Sequence, residues 1–251
     1  MTRLVRAEWT KLFTTRVWIG LLLGACAMVA GFTSLLTGFA GNAESGIPPV
    51  GTPAFEQLAF AQATGANVLF LILGIIGMTQ EYRHRTATPT FLTEPRRGHV
   101  VVAKLIAYAL VAIPFALLVL AVNVLTVVVY AGARDGSPSF TADNLEVLAT
   151  SGLVLVIYAL IGVGIGALFR NQVGAIVGGL VYLFVIEPVI RSIPATSGAY
   201  KWMPGGAQEA MTATFQGPEL LGAWQGAVLL LGYGLLAAVL GTFLAVRRDI
   251  V

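Results

Sequence analysis

Apolar residues run almost unbroken through six stretches, roughly Val17 to Ala40, Leu58 to Thr79, Val101 to Tyr130, Leu148 to Phe169, Val173 to Val189 and Ala223 to Val246. The segments between them hold most of the charge. A helix of about 20 mostly apolar residues crosses the ~30 Å hydrocarbon core of a bilayer, and each stretch falls within the range that can do so. The pattern therefore predicts an all-α integral membrane protein of six transmembrane helices. The first stretch is far longer than the ~7 to 15 apolar residues of a signal peptide, so it reads as a retained anchor.

Ahead of it, Thr2 to Thr15 forms a separate element. At ~100° per residue, Leu4, Val5, Trp9, Leu12 and Phe13 share one half of a helical wheel. Arg3, Arg6, Thr10, Lys11 and Thr14 share the other, while Glu8 and Thr15 break the pattern. Basic residues opposite Trp and Leu suit an amphipathic helix lying in the headgroup layer. A plain positively charged anchor for the first span is the alternative. The organisation expected is an interfacial helix over 1–16 and a six-span domain over 17–251, with a cytoplasmic loop at about 80–104 and an outer loop at about 190–222.

Charge placement gives the orientation. With the N-terminus inside, Arg3, Arg6, Lys11, Arg16, Arg83, Arg85, Arg96, Arg97, Lys104, Arg170, Arg247 and Arg248 are cytoplasmic, and only Arg134, Arg191 and Lys201 lie outside. A missed or invented span would exchange the sides of every later loop and destroy that asymmetry. Both ends are therefore expected in the cytoplasm. Composition agrees with a bilayer as solvent: 57% of the 251 residues are hydrophobic and 11% charged, with a mean hydropathy of +0.84. A formal charge of +3 spread in this way gives no nucleic-acid footprint. The single Cys26 forms no intramolecular disulfide, and no zinc-type Cys/His spacing occurs.

The connection between the second and third stretches is the most informative. It runs from Glu81-Tyr82-Arg83 through Thr86, Thr88-Pro89, Phe91-Leu92 and Pro95-Arg96-Arg97 to Ala103-Lys104. Thr88 before Pro89 makes an N-cap with proline in the first turn, and Pro95 stops the helix after about two turns. A loop needed only to join two spans requires neither proline nor an internal helix. An ordinary basic cytoplasmic loop is the competing reading.

On these residues, together with Arg6-Ala7-Glu8-Trp9-Thr10-Lys11-Leu12 and the six spans, the whole chain resembles the permease subunit of ABC-2 family transporters. The resemblance implies that the loop carries a coupling helix docking on a separate cytosolic ABC ATPase, and that two permease copies, a homo- or heterodimer, enclose the pathway. The coupling region would then comprise Glu81, Arg83, Thr86, Thr88, Phe91, Leu92, Pro95, Arg96, Arg97 and Lys104. ATP and Mg would be held by the partner. The chain itself has no Gly-x-x-x-x-Gly-Lys-Ser/Thr phosphate loop, no Gly-x-Ser-x-Gly elbow and no His-Glu-x-x-His helix, so no enzymatic activity or cofactor of its own is expected.

Within the spans, Gln62, Asn67 and Asn123 are candidates for the pathway or, equally, for hydrogen bonds between helices. Glu187, before Pro188, suits a cap, a snorkel or an exit lining. Glycines at four-residue spacing, Gly162/Gly166, Gly174/Gly178 and Gly222/Gly226, suit packing within a subunit or a dimer seam. The resemblance favours Gly174 and Gly178 for the seam. Tyr200, Trp202 and Phe215 in the long outer loop form an interfacial belt or, by resemblance, short helices at an exit gate. The expected function is export of an amphiphilic molecule, peptide or lipid from the inner membrane. A secondary carrier or a non-transporting membrane scaffold is the alternative.

Overall fold

The computed structural model describes residues 1–83, 97–134, 136–169, 171–212 and 220–247, apart from the side chains at 97 and 244–247. Helix α1 covers Thr2–Thr14. Six helices long and apolar enough to cross a membrane follow: Val17–Phe39, Pro53–Arg83, Gly98–Gly132, Ala142–Phe169, Gln172–Ser192 and Ala223–Phe243, here spans one to six. Among the described residues there is no strand. The molecule is an all-α, multi-pass membrane protein.

Spans two and four begin earlier than their apolar runs, and threonine caps explain both. Thr52 accepts the Phe55 N–H at 3.3 Å with Pro53 in the first turn, and Thr141 accepts that of Asn144 at 3.3 Å. First turns carrying the acids Glu56 and Asp143 thus belong to the helices. Span two tightens to a 3₁₀ turn at Gln62–Ala66 before continuing to Arg83. Span five widens to a π turn at Tyr182–Ile186 just ahead of Pro188. A proline ring clashes with the carbonyl four residues back and leaves it without a donor, which the wider turn accommodates.

Spans two and four form the centre of the bundle. Buried residues make up 67% of the most apolar stretch of span two and 61% of that of span four, against 17% for spans one and five. Backbone contact brings these two helices together: a Cβ on Gly74 would overlap the Ala159 carbonyl, and one on Gly162 would overlap that of Leu71. Gly164 meets span six in the same manner, at Gly234 and Ala237. With little hydrophobic force between helices in lipid, such close van der Waals contact is a main source of cohesion. Span five leans on this core through Ala175 and Gly179 and leaves most of its surface outward.

Candidate functional site

Four alternating charges meet where α1 crosses the ends of spans two and three. Glu8, which interrupts the amphipathic pattern of α1, turns inward and is bonded to the ammonium of Lys104 on span three. Its second oxygen accepts from Lys11 Nζ at 2.7 Å. Lys11 Nζ also reaches Glu81 of span two at 2.6 Å, and Glu81 lies 3.3 Å from Lys104 Nζ. Lys104 completes its coordination by donating to the Gly77 carbonyl at 3.1 Å. Its side chain is 0% exposed, those of Glu81 and Glu8 are 3% and 5%, and Lys11 at 38% closes the solvent side.

The quartet is neutral overall, which makes its burial tolerable. A buried ion pair costs desolvation that only good geometry and full hydrogen bonding offset, and Lys104 has a partner for each of its three protons. Burial pulls the Lys11 pKa down, but the hydrogen bonds and charges of Glu8 and Glu81 outweigh it and hold the group above its ordinary value. The arrangement joins α1 to both flanks of the 84–96 segment. It is a mechanical fastening, and among the described residues no group of His, Cys, Asp and Glu side chains gathers for a metal.

Of the ten loop residues singled out by sequence, the structure brings Glu81 and Lys104 together. Arg83 is exposed and donates to Gln172 Oε1 at 3.4 Å, touching the start of span five. Thr86, Thr88, Phe91, Leu92, Pro95 and Arg96 lie outside the described residues, and Arg97 begins the helix of span three. Glu8 was not among the ten. Its signal was present, as the one acid interrupting an otherwise basic and apolar wheel.

The intramembrane polar residues lie in two separate seams. Asn123 is buried and donates to Thr33 Oγ1 at 2.9 Å and to the Ala59 carbonyl at 3.1 Å, between spans one, two and three. Asn67 donates to Gln208 Oε1 at 2.6 Å on the helix Pro204–Thr212, at the end of the bundle away from α1. Gln62 is half-buried. The Pro204–Thr212 helix is fastened twice to span five, by the Gly205 N–H to Glu187 at 2.9 Å and by Arg191 to Glu209 at 2.6 Å. Arg191 also lies over the Tyr200 ring at 5.2 Å, and burial raises the Tyr200 phenol above its usual range. Glu187, left open between three roles by sequence, thus accepts from the first turn of a neighbouring helix, the position that suits an anion.

The glycine pairs divide. Gly162, Gly166 and Gly226 press against backbone or side chains of the same subunit. At Gly178 a Cβ would meet nothing within 4 Å, and at Gly174 only its own capping Asn171.

A family model described as ABC-2 family transporter protein matches residues 4–186, from α1 through the π turn of span five. No curated protein matches the chain. Members of that family are membrane transport components that generally associate with an ABC ATPase and are generally not catalytic themselves. The fold and the family match agree, and the chain belongs to the ABC-2 family of transporter proteins.

Proposed function

We propose that this permease is the membrane half of an ATP-driven exporter, with α1 and the 84–96 loop on the cytoplasmic side of the inner membrane and both chain ends inside. The charge quartet carries this reading. It fastens the loop at both flanks, Glu81 before and Lys104 after, and fastens α1 to the same point. A force applied at Thr88 to Glu94 by a partner ATPase holding ATP and Mg would reach spans two and three together and drag α1 with them. Arg83 against Gln172 passes the motion on to span five.

Two copies assemble across span five in this reading, with Gly174 and Gly178 in the seam. Support comes from the open space at Gly178 and from the outward exposure of Val173, Val177 and Val181, which a second copy or lipid must cover. Helix α1 lies in the headgroup layer, with Arg3, Arg6 and Arg16 exposed. Asn67 and Gln62 face the pathway, and Asn123 tunes the packing around it.

A photo-crosslinking residue at Phe91 or Leu92 in native membranes tests the assignment. The expected adduct is a polypeptide with a Gly-x-x-x-x-Gly-Lys-Ser/Thr phosphate loop. Adducts with lipid alone, or with proteins lacking that loop, would overturn it.

A further inference from the structure

Two grooves lie side by side on span three, just beyond the charge quartet. One, of ≈ 500 Å³, runs beneath α1, with Val5 and Trp9 of that helix on one side and Ile106 and Leu110 of span three on the other. The second, of ≈ 230 Å³, lies between spans three, four and six, against Ile157, Leu231 and Leu235. Ile106 lines both. At 1.5 Å of rise per residue, Ile106 and Leu110 stand about 3 and 9 Å along the helix from Lys104 of the quartet. The grooves thus begin near the polar level that the quartet marks and run into the apolar one.

The groove beneath α1 has a cation at its rim. Arg6 lines it, is exposed, and among the described residues pairs with no carboxylate. Arg3, one turn away on the same helix, is exposed as well. The single acid of α1, Glu8, is turned inward with its oxygens committed to Lys11 and Lys104. A zwitterionic head finds a cation for its phosphate here and no acid for its ammonium, so charge favours a head that is net anionic. Trp9, also exposed, places an indole at the same rim, as a ring at the headgroup level does.

Ile106, Leu110, Leu231 and Leu235 all face outward, and apolar contact must cover them. A phospholipid carries two hydrocarbon chains on one phosphate, which matches two apolar grooves parted by one side chain with a cation at one end. A single-chain amphiphile fills only one of them. Resting on the placement of α1 in the headgroup layer proposed above, we infer that the paired grooves hold one anionic phospholipid. Its phosphate sits on Arg6, one chain lies between α1 and Leu110, and the other passes over Ile106 toward Leu235. The lipid then props α1 against span three beside the link from Glu8 to Lys104 and becomes part of that fastening.

The test uses the purified full chain in phosphatidylcholine nanodiscs and a phosphatidylglycerol bearing a diazirine midway along one chain. Saturable adducts are expected around Leu110 and Leu235, competed by unlabelled phosphatidylglycerol and not by added phosphatidylcholine or by the single-chain lysophosphatidylglycerol. Arg6→Gln should lower the labelling affinity about tenfold, the loss of one charged hydrogen bond, without lowering the melting temperature. Arg16→Gln removes an equal charge from an exposed position away from the grooves and should leave labelling unchanged. Ile106→Trp, which fills the shared wall, should abolish the saturable fraction. Adducts spread evenly over lipid-facing residues such as Leu117 and Leu125, equal competition by phosphatidylcholine or by the single-chain lipid, or equal effects of the two arginine variants would each overturn the assignment. A spin label at Thr10, exposed on α1, reads the depth of that helix separately against a nickel-chelating lipid. Relaxation of that label without saturable adducts sinks the lipid site and leaves the headgroup placement standing. No ATPase is present, so the outcome is independent of the permease reading.

Discussion

Lys104 on span three, fully buried, lies 3.3 Å from the carboxylate of Glu81 on span two, and the loop joining those spans is closed at its base by that pair. Glu8 of α1 binds the same ammonium. Removing the cation alone leaves two buried carboxylates facing Lys11. Lys104→Met is expected to destabilise the protein by about 3 to 5 kcal/mol, read as a fall in detergent melting temperature. The double variant Lys104→Met/Glu8→Gln should recover part of that loss, and simple additivity of the two changes would contradict the direct pairing.

The same fastening should be insensitive to moderately alkaline pH. Lys11 has its folded-state pKa raised above 10.5, so its contribution is complete below that value and is lost only as pH climbs through the raised one. A spin label at Thr2 should show α1 docked without change from neutral pH to about pH 9. Release of α1 within that window would be inconsistent with the paired state of Lys11.

Glycine substitutions separate packing from assembly. Gly74→Ala puts a methyl into the Ala159 carbonyl and is expected to cost about 1 to 3 kcal/mol. Gly178→Ala meets open space in the subunit and should leave the melting temperature unchanged. If span five forms the dimer seam, a bulkier Gly178→Leu shifts the mass measured by light scattering toward the monomer, and an unaltered mass would remove Gly178 from the seam.

Glu187 holds the Pro204–Thr212 helix by accepting from Gly205. Glu187→Gln keeps an acceptor and should keep the helix docked, whereas Glu187→Leu should speed hydrogen exchange across 204–212 severalfold. Arg191→Ala is expected to have a smaller effect, about 1 kcal/mol or less, because its pair with Glu209 is partly exposed.

The spans were legible because lipid demands long apolar runs. Helix starts were harder to place. The first turns at Pro53 and Ala142 are cut off from the apolar runs by charged and polar residues, Glu56-Gln57 in one and Asp143-Asn144 in the other, although Thr52-Pro53 is a start signal of its own. Glu81 and Lys104 stood out by motif, and Glu8 appeared in the motif of α1 and as a flaw in its wheel, yet nothing linked the three, since helical periodicity does not say which residue a tertiary contact turns inward. The fastening of 204–212 to span five depends on two helices, separated by a loop, meeting in space, for which local sequence has no period. Gly162 and Gly178 look alike in sequence, and only the neighbouring backbone distinguishes them.

Co-purification from native membranes with a tagged chain, assayed for ATP hydrolysis, addresses the central claim most directly. The wild type should elute with a soluble ATPase and its activity, and the Phe91→Asp/Leu92→Asp chain, equally well folded, should elute without either. A wild-type preparation free of ATPase, or a loop variant that retains it in full, would contradict the claim that a separate motor drives this permease through the 84–96 loop.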